Sequence, residues 1–360
     1  MREVAIIGGD MIKFGRYPDK TVVDLAAQAV LGALRDAGLT MKEIEILVCG
    51  NLYQASGMIG QKVLQEVGQT GIPVVNVANA CATGSTAFRE AYLAVASGAY
   101  DIAMAVGCEQ MGKMGLLGTE RVAGTEGVIG TGLMPGVFGM TGMEHMRKYG
   151  TTIEQFAKVS VKNHKHAVHN PYAQYQKETP LEEVLNSRMI SYPNTLYMCC
   201  PTGDGAAAAI LVPMEKARQY TSQPIKVAAA ALATDPWSER DLALPDINSA
   251  TRKAAREAYQ QAGVTPKDLD MVELHDCFAT AELLHYENLG LCPEGEAGRF
   301  IDEGRTTHGG DVVVNASGGL LSMGHPIGST GVAKIVEGAK LGLAHTLGLG
   351  TAVTVHVLQK

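Results

Sequence analysis

The sequence of 360 residues lacks a long apolar run, an excess of basic charge and an abundance of aromatic side chains. No stretch of about 18 uninterrupted apolar residues occurs, so a transmembrane helix is excluded. The 30 basic residues are outnumbered by 37 acidic residues, and the net charge of −7 argues against general nucleic-acid binding. An anionic ligand would therefore need a local cationic patch.

The seven cysteines show no CxxC spacing, and their number is odd. These features exclude a disulfide scaffold and a paired-CxxC zinc ribbon, and they suit reduced thiols. The N-terminal segment MREVAIIGGD does not have the long apolar run of a signal peptide. We therefore expect a cytoplasmic protein.

Glycine and small apolar residues are abundant, with 42 glycines and a hydrophobic fraction of 46%. The glycines separate short apolar runs, as tight strand-to-helix turns require. Buried parallel strands have such continuous apolar runs. The composition therefore predicts an α/β fold with a large core, and the length exceeds the needs of one domain of about 100–200 residues.

Three pairs of similar segments occur in the same order along the chain. The pairs are AGLTMKEIEILV (37–48) with AGVTPKDLDMVE (262–273), residues 75–88 with 314–333, and residues 204–213 with 350–358. We therefore predict two similar α/β halves, residues 1–215 and 225–360. Residues of about 110–200 interrupt the first half, and we interpret them as an inserted loop domain. That domain either covers a site or is an ordinary surface insertion.

The helix expected after Cys81 carries only Arg89 and Glu90 as charged residues. A helix that is apolar on nearly all sides must be buried on both sides. Since each half would supply one such helix, we expect a central helical layer between two sheets. Residues 250–262 show instead the one-sided apolar pattern of a surface helix.

Cys81 follows the strand-like segment VVNVA and precedes the Gly84-Ser85-Thr86 start of a helix. Backbone N–H groups and the helix dipole at such a position stabilise a thiolate. The alternative is a small buried core cysteine. The strand–turn–helix position favours the reactive thiol.

His275 and Cys277 are two residues apart, so on an extended segment their side chains point to the same side. We interpret them as a proton-transfer pair rather than a zinc site, because no third or fourth ligand is evident. His325 lies on the loop that corresponds to the Cys81 turn, which makes it the candidate base for Cys81. Four other cysteines are interpreted as core or loop residues: Cys49, Cys108, Cys199 and Cys200.

Four segments occur in a form and order that are typical of one family. They are NACATGSTAF around Cys81, HDCFATAELLHYENLGL (275–291), NASGGLLSMGHPIGSTGVA (315–333) and HTLGLGTAV (345–353). Nearly end to end, the chain resembles the thiolase superfamily, most closely its sterol-carrier-protein-type branch. The resemblance implies a five-layered αβαβα fold, a loop domain that binds coenzyme A, and a homodimer.

The resemblance also implies roles for individual residues. Cys81 matches the acylated nucleophile, and His325 matches the histidine that activates it and helps to bind the thioester oxygen. His275 stands where ordinary thiolases have an oxyanion-hole Asn, and Cys277 matches the acid/base cysteine of this branch. Cys81 and Gly348 would contribute to the oxyanion hole and the substrate-binding site. No metal and no cofactor is implied, since coenzyme A is a substrate.

Two departures from the family pattern are visible. Ordinary thiolases place a second cysteine in a C-terminal Cys-x-Gly, whereas this chain has Thr346-Leu347-Gly348. The acid/base role must therefore move to Cys277. The connection from Glu337 to Gly338 is also shorter than the family segment, so that either a loop is missing there or the chain is trimmed.

The implied reaction is CoA-dependent cleavage of a 3-ketoacyl-CoA through a Cys81 thioester, reversible as a Claisen condensation. The alternatives are an acetoacetyl-CoA-forming biosynthetic thiolase, an acyl-CoA retro-aldolase, a ketoacyl-carrier-protein synthase and a non-catalytic acyl-CoA-binding subunit. The intact Cys81 argues against the retro-aldolase, and retention of all four catalytic positions argues against the non-catalytic subunit. The HDCF and GHP segments favour a thiolase over the synthase.

Two further expectations concern the acyl chain and a partner protein. The Met-rich segment 115–146 suggests a pocket for a branched, aromatic or sterol-derived chain, because flexible Met side chains adapt to irregular apolar ligands. The alternative is that these residues pack the loop domain, in which case the substrate is short and linear. The resemblance alone suggests a small zinc-ribbon/OB-fold partner protein.

Overall fold

The structure, a computed structural model, describes residues 1–112, 133–237, 246–335, 341–348 and 352–360. The strands are β1 (Val4–Met11), β2 (Ile46–Gly50), β3 (Val74–Val77), β4 (Ala103–Gln110), β5 (Met189–Ser191), β6 (Asn194–Thr195), β7 (Asp204–Pro213), β8 (Ile225–Thr234), β9 (Met271–Glu273), β10 (Val313–Val314), β11 (Leu341–Gly348) and β12 (Ala352–Gln359). The helices are α1 (Val22–Ala37), α2 (Ile59–Val67), α3 (Thr83–Ala96), α4 (Met134–Tyr149), α5 (Ile153–Ala167), α6 (Leu181–Asn186), α7 (Met214–Ala217), α8 (Ser249–Ala262), α9 (Ala279–Asn288), α10 (Ala297–Asp302), α11 (Gly319–Met323) and α12 (Ile327–Ala333).

Ten strands form one sheet in the order β10-β9-β11-β12-β8-β1-β7-β4-β2-β3. Numbered within its own half, each set of five strands has the order 3-2-4-5-1, which confirms the predicted duplication. The two expected sheets meet along β1 and β8, the first strands of the two halves. These strands pair antiparallel at Ala5↔Lys226 and Ile6↔Ile225. The predicted boundaries 1–215 and 225–360 stay a prediction.

The repeated Ala-Gly dipeptide of the two halves terminates equivalent helices. α1 ends at Gly38 with φ +67°, and α8 ends at Gly263 with φ +69°. Glycine adopts this left-handed conformation without steric cost and therefore ends a helix well. In α8 the buried residues are on one face, as predicted for a surface helix: Ala250, Thr251, Ala254, Ala255 and Ala258.

The central helical layer is confirmed by the contact between α3 and α12. A Cβ atom on Gly84 would lie 2.5 Å from the Gly328 carbonyl oxygen, and one on Gly331 would lie 2.2 Å from the Ser85 nitrogen. Such distances leave no room for a side chain, so glycine is required where these helices meet. All residues of α12 are buried. The two Gly-Ser-Thr helix starts of the duplicated halves therefore face each other in the core.

The excursion from the first half packs against the second half. A Cβ atom on Gly318, directly before α11, would lie 2.4 Å from the Cβ of Ala167 on α5. Within this excursion the helix α5 carries two buried polar residues, Lys162 and Asn163. Of the Met-rich segment 115–146, residues 115–132 lie outside the described residues, as does the connection from Glu337 to Gly338.

None of the helices that the structure describes is both long enough and apolar enough to cross a membrane.

Candidate active site

Three connections from distant parts of the chain meet at one site. Cys81 lies between β3 and α3, His275 lies between β9 and α9, and His325 lies between α11 and α12. One potential ligand atom from each of these side chains lies within 4.8 Å of the other two. The imidazole rings of His275 and His325 are edge to face, with centroids 5.2 Å apart. The structure thus brings together three residues predicted from the sequence.

The turn that carries Cys81 is held in an uncommon backbone conformation. Ala80 has φ +46°, in a region that non-glycine residues rarely adopt. The Ala82 N–H donates to the Asn79 carbonyl at 2.9 Å, and the Thr83 N–H donates to the Ala80 carbonyl at 3.1 Å. The thiol of Cys81, which is partly buried, is therefore fixed two residues before the first turn of α3, at the positive end of its dipole.

His325 is buried and electrically neutral at pH 7. Burial, together with the positive charge of Lys334, lowers the pKa of His325 to about 3. Its Nδ1 lies 2.9 Å from the Thr330 Oγ1. The Thr330 hydroxyl donates its proton to the Pro326 carbonyl at 3.0 Å, so its oxygen accepts from Nδ1–H of His325. Nε2 is then the unprotonated nitrogen, and it has no hydrogen-bond partner within the described ranges. This tautomer can accept a proton from a thiol.

His275 is also held neutral. Burial lowers its pKa well below the usual value, and His325 and Lys334 lower it further. Its backbone N–H donates to the Nδ1 of His345 at 3.3 Å. The Nδ1 of His275 is buried and unpartnered within the described part of the chain. His275 therefore has a ring nitrogen available for a substrate atom.

Cys277 is buried and lies close enough to Cys81 for the two thiols to affect each other electrostatically. Burial raises the pKa of Cys277 well above the usual value, and the neighbouring Cys200 and Cys81 raise it further. At neutral pH Cys277 is therefore a protonated thiol. Such a group can donate a proton to a carbanion.

Gly348, at the end of β11, lies against the turn that carries Cys81. A Cβ atom there would be 2.4 Å from the Asn79 carbonyl oxygen and 3.2 Å from the Ala82 nitrogen. The absence of a side chain permits this approach. Thr346, two residues earlier, is buried with its hydroxyl bonded to Ser85 and, at 2.6 Å, to Thr354. The Thr346 hydroxyl is thus held within a polar cluster of the core.

Sequence reasoning missed three residues near the site. Cys200, interpreted from the sequence as a core or loop residue, donates its backbone N–H to the Cys277 carbonyl at 3.0 Å. Tyr53 follows β2, and its pKa is raised to about 12 by burial, by Glu109 and by Cys81. Neither Cys200 nor Tyr53 lies in a sequence motif. Only contacts between distant segments of the chain place these two residues near the site. Lys334 is a third such residue, since its burial depends on contacts across the core.

Among the described residues, the cluster of side chains close enough together to be potential metal ligands is not the predicted pair of His275 and Cys277. That cluster is Cys81 with His275 and His325, one thiol and two neutral imidazoles. These groups are also those that nucleophilic catalysis needs, a thiol next to a base. The prediction of no metal stays a prediction.

Both halves of the chain match family models. The model for the thiolase N-terminal domain matches residues 4–188, and the model for the thiolase C-terminal domain-like region matches residues 236–348. The chain is 39% identical to "Sterol carrier protein 2" of Homo sapiens, covering 99% of this chain and 71% of that protein. It is 38% identical to "Acetyl-CoA acetyltransferase" of Methanothermobacter thermautotrophicus, covering all of both chains. It is also 38% identical to "Benzoylsuccinyl-CoA thiolase subunit BbsB" of Thauera aromatica, covering 94% of this chain and 89% of that protein.

Solved structures share the fold. The "Ltp2-ChsH2(DUF35) aldolase" superposes with a TM-score of 0.85 at 25% identity, covering 99% of this chain and 97% of that chain. Human mitochondrial 3-ketoacyl-CoA thiolase superposes with a TM-score of 0.76 at 17% identity, covering 100% of this chain and 99% of that chain. The predicted layered α/β fold with two duplicated halves is confirmed.

Proposed function

The chain belongs to the thiolase family and is an acyltransferase, and we propose that it cleaves a 3-ketoacyl-CoA to acetyl-CoA and a shortened acyl-CoA, reversibly, through a thioester on Cys81. The observation that carries this proposal is the cluster of Cys81 with two neutral histidines. The tautomer of His325, with a free lone pair on Nε2, suits it to accept the thiol proton of Cys81.

The first step forms a carbon–sulfur bond. The Cys81 sulfur attacks the ketone carbon of the substrate as its proton passes to His325 Nε2. Negative charge develops on the ketone oxygen. His275 Nδ1 and the Gly348 N–H are our proposed donors to the oxygens of the reacting groups, His275 once its proton is on that nitrogen. One such donor contributes about 3–4 kcal/mol to transition-state stabilisation.

The second step breaks the carbon–carbon bond. The carbonyl re-forms as the Cys81 thioester, and the bonding electrons leave on the α-carbon of acetyl-CoA. Cys277 donates its thiol proton to that carbon, which its raised pKa permits at neutral pH. The resulting Cys277 thiolate then accepts the thiol proton of incoming coenzyme A. The CoA sulfur takes the acyl group, and Cys81 leaves and recovers its proton from His325.

Trapping the thioester tests the proposal. Incubation with a short acyl-CoA is expected to add one acyl group, measured by intact mass and mapped to the Cys81 peptide. The Cys81→Ser variant removes the sulfur, and Cys292→Ser, at a buried thiol outside the cluster, is the matched control that is expected to label normally. Labelling at another cysteine, or none at all, contradicts the covalent mechanism.

A retro-aldolase is the second candidate, and the superposition on the Ltp2-ChsH2(DUF35) aldolase favours it. An aldolase would cleave a 3-hydroxyacyl-CoA without free coenzyme A and without an acyl-enzyme. Supplying 3-hydroxyacyl-CoA and 3-ketoacyl-CoA, each with and without coenzyme A, distinguishes the two reactions. Cleavage that needs both the ketone and coenzyme A supports the thiolase.

The substrate and the direction of the reaction form a finer proposal. We favour a branched, aromatic or sterol-derived acyl chain, which the names of two relatives, "Sterol carrier protein 2" and "Benzoylsuccinyl-CoA thiolase subunit BbsB", support. The name of the archaeal relative supports instead the biosynthetic, acetoacetyl-CoA-forming alternative. Comparing kcat/KM for acetoacetyl-CoA and for a bulky 3-ketoacyl-CoA decides between them. A clear preference for acetoacetyl-CoA ends the bulky-substrate proposal.

We further propose a homodimer that pairs through β3. This strand is one of the two edge strands of the ten-stranded sheet, and Val75 on it is 41% exposed. An edge strand presents backbone groups that can pair with another chain. In sedimentation experiments we expect a dimer for the parent and a monomer for Val75→Lys. Val313→Lys, on the opposite edge strand β10, is the control that should stay dimeric.

A second partner is proposed from the aldolase, which pairs Ltp2 with ChsH2(DUF35). We expect a small zinc-ribbon/OB-fold protein to co-purify with this chain at native expression levels. A fully active homodimer without a partner would count against that expectation. A cytoplasmic location is proposed on the basis of the seven free thiols, and fluorescence imaging or fractionation tests it.

A further inference from the structure

Lys334 is a buried lysine directly behind the active site. It follows the last residue of α12 and is 3% exposed. Its ammonium group donates to the Leu274 carbonyl, the residue immediately before His275. Since α12 begins two residues after His325, this one hydrogen bond connects the helix that follows His325 to the segment that carries His275 and Cys277.

Within the described part of the chain, no close ion pair neutralises the positive charge of Lys334. Within the described residues, no carboxylate oxygen lies within the 4.0 Å of an ion pair from its ammonium nitrogen, whereas the other buried lysine of this region, Lys162, pairs with Glu282 at 2.6 Å. The nearby carboxylates have other partners. Glu273 accepts from the Ser317 hydroxyl at 2.7 Å, and Asp276 accepts from the Leu320 N–H at 2.8 Å. A buried cation without a direct counter-ion is costly, and such groups cluster at functional sites.

Titratable groups from every neighbouring element surround this ammonium. Those whose electrostatic interaction with Lys334 is resolved are Glu273 of β9, His275, Asp276 and Cys277 of the following segment, Glu282 and His285 of α9, His325 before α12, and His345 of β11. Lys162 of α5 acts on Glu273 as well. The ammonium therefore acts on both catalytic histidines and on the proposed proton donor.

We propose that Lys334 is a positioning residue of the proposed thiolase reaction: it holds the Leu274 carbonyl so that Cys277 faces the substrate, and its positive charge stabilises the Cys277 thiolate. When Cys277 protonates the leaving carbanion, its S–H bond breaks, a C–H bond forms and negative charge stays on a buried sulfur. Nothing but a nearby cation or a hydrogen-bond donor offsets that charge in a low-dielectric environment. When coenzyme A returns a proton, the charge disappears.

The same ammonium also acts on the two histidines. It lowers the pKa of Cys277 against the effect of burial, and it lowers the pKa values of His275 and His325 further. One cation thus favours a thiolate at Cys277 and disfavours an imidazolium at both histidines. A neutral His325 is the form that can act as a base.

Thiol titration tests the inference without turnover. The rate of alkylation of Cys277 by iodoacetamide is measured against pH by peptide mass spectrometry, in a Cys81→Ser background. Lys334→Met is expected to raise the pH of half-maximal alkylation by about one unit or more, because an opposite charge is removed. Lys334→Arg keeps the charge and is expected to titrate like the parent.

Lys162→Met is the matched control, because it also removes a buried lysine charge, but one that is paired directly with Glu282. It is expected to leave the Cys277 titration unchanged. If Lys334→Met does not fold, Lys334→Met/Glu273→Gln removes one buried charge of each sign, and it is expected to show a smaller upward shift, because the lost carboxylate charge offsets part of the lost positive charge. A titration unchanged in the folded Lys334 variant, or shifted equally in Lys162→Met, overturns the inference.

Turnover provides the second measurement. Lys334→Met is expected to lower kcat for 3-ketoacyl-CoA cleavage at least tenfold, with Cys81 still acylated by acetyl-CoA, and Lys334→Arg to recover most of that loss. The inference rests on the proposed function, but the two fail differently. An absent Cys81 acyl-enzyme in the parent refutes the thiolase proposal, whereas an unchanged Cys277 titration refutes only the role of Lys334.

Discussion

The hydroxyl group of Thr330 sets the tautomer of His325 from within α12. Its proton goes to the Pro326 carbonyl, and its oxygen accepts from Nδ1–H of His325. The histidine is thereby held with its basic nitrogen free. A neutral imidazole without this partner would divide its population between two tautomers, of which one cannot accept the proton of Cys81.

Thr330→Val is therefore expected to lower kcat/KM about tenfold, since it removes one buried hydrogen bond to the base. Thr330→Ser keeps the hydroxyl group and should restore most of the activity. Ser329→Ala is the matched control, because the Ser329 hydroxyl also donates to the Pro326 carbonyl but does not accept a hydrogen bond from His325. Steady-state kinetics on all three variants checks the prediction. Equal losses in Thr330→Val and Ser329→Ala would mean that α12 has only been destabilised.

Cys277→Ala is expected to reduce thiolysis of a 3-ketoacyl-CoA by about 100-fold or more, since the proton donor is lost. Acylation of Cys81 by acetyl-CoA should remain measurable by intact mass, because that step forms no carbanion. Cys200→Ala removes the neighbouring thiol and should keep most of the thiolysis rate. Near-normal thiolysis in Cys277→Ala would assign the proton transfer to water or to Thr346, although the hydroxyl of Thr346 is engaged within the core.

Among the secondary-structure elements, α3 and α12 form a close contact beside the site. Gly331→Ala would place a Cβ atom 2.2 Å from the backbone nitrogen of Ser85. We expect a loss of about 1–3 kcal/mol in the free energy of unfolding, because the helices must separate. Gly57→Ala, where the nearest atom would be at 3.5 Å, is the control and should change stability by less than about 0.5 kcal/mol. Urea unfolding measures both, and similar values for the two variants would contradict the close contact.

The sequence permits prediction of those elements that have local or repeated signals. The duplicated segments predicted two equivalent halves, and the nearly uncharged helix after Cys81 predicted a central layer. The positions of Cys81 and His325 followed from the same equivalence. Their roles and that of Gly348 came from the family resemblance, and they stay predictions.

Other features could not be predicted because they depend on contacts between distant segments. Lys334 donates to a residue 60 positions earlier in the chain. Asn163 on α5 donates to Asp276 at 2.8 Å and to Glu282 at 2.7 Å. In the sequence, α5 has the polar pattern of a surface helix. Only the folded chain places these carboxylates where the polar side chains of α5 can be buried and still form hydrogen bonds. The contact between Cys200 and Cys277 could not be predicted for the same reason.

The molecule as a whole contains several histidines that burial keeps neutral. The pKa falls to about 3 for His285 and His325 and to about 4 for His166 and His356. In the unfolded chain these groups titrate near 6.5, so between that value and the native values the unfolded state binds more protons. The stability that these four histidines contribute is therefore fully present above about pH 6.5 and is lost as the pH falls toward 3.

Each such histidine is expected to lower the free energy of unfolding by about 1.4 kcal/mol for every pH unit below 6.5, as far as its native pKa. His356→Gln should therefore reduce the slope of stability against pH between 6 and 4.5 by that amount. His169→Gln, at an exposed histidine, is the control and should leave the slope unchanged. Urea unfolding at several pH values measures the slopes. An equal slope in the parent and in His356→Gln would contradict the burial of a neutral imidazole.

The antiparallel pairing of β1 with β8 has an evolutionary consequence. These strands are the first strand of each repeated half, and they pair antiparallel. Their pairing therefore relates the two halves by a twofold axis, as in a dimer of identical subunits. The Cys81 turn and the His325 turn then stand at equivalent positions of the two halves and face each other at one site. Once both copies lay on a single gene, selection could act on each loop separately. One loop now carries a thiol and the other an imidazole, a chemical difference that two identical loops could not have had.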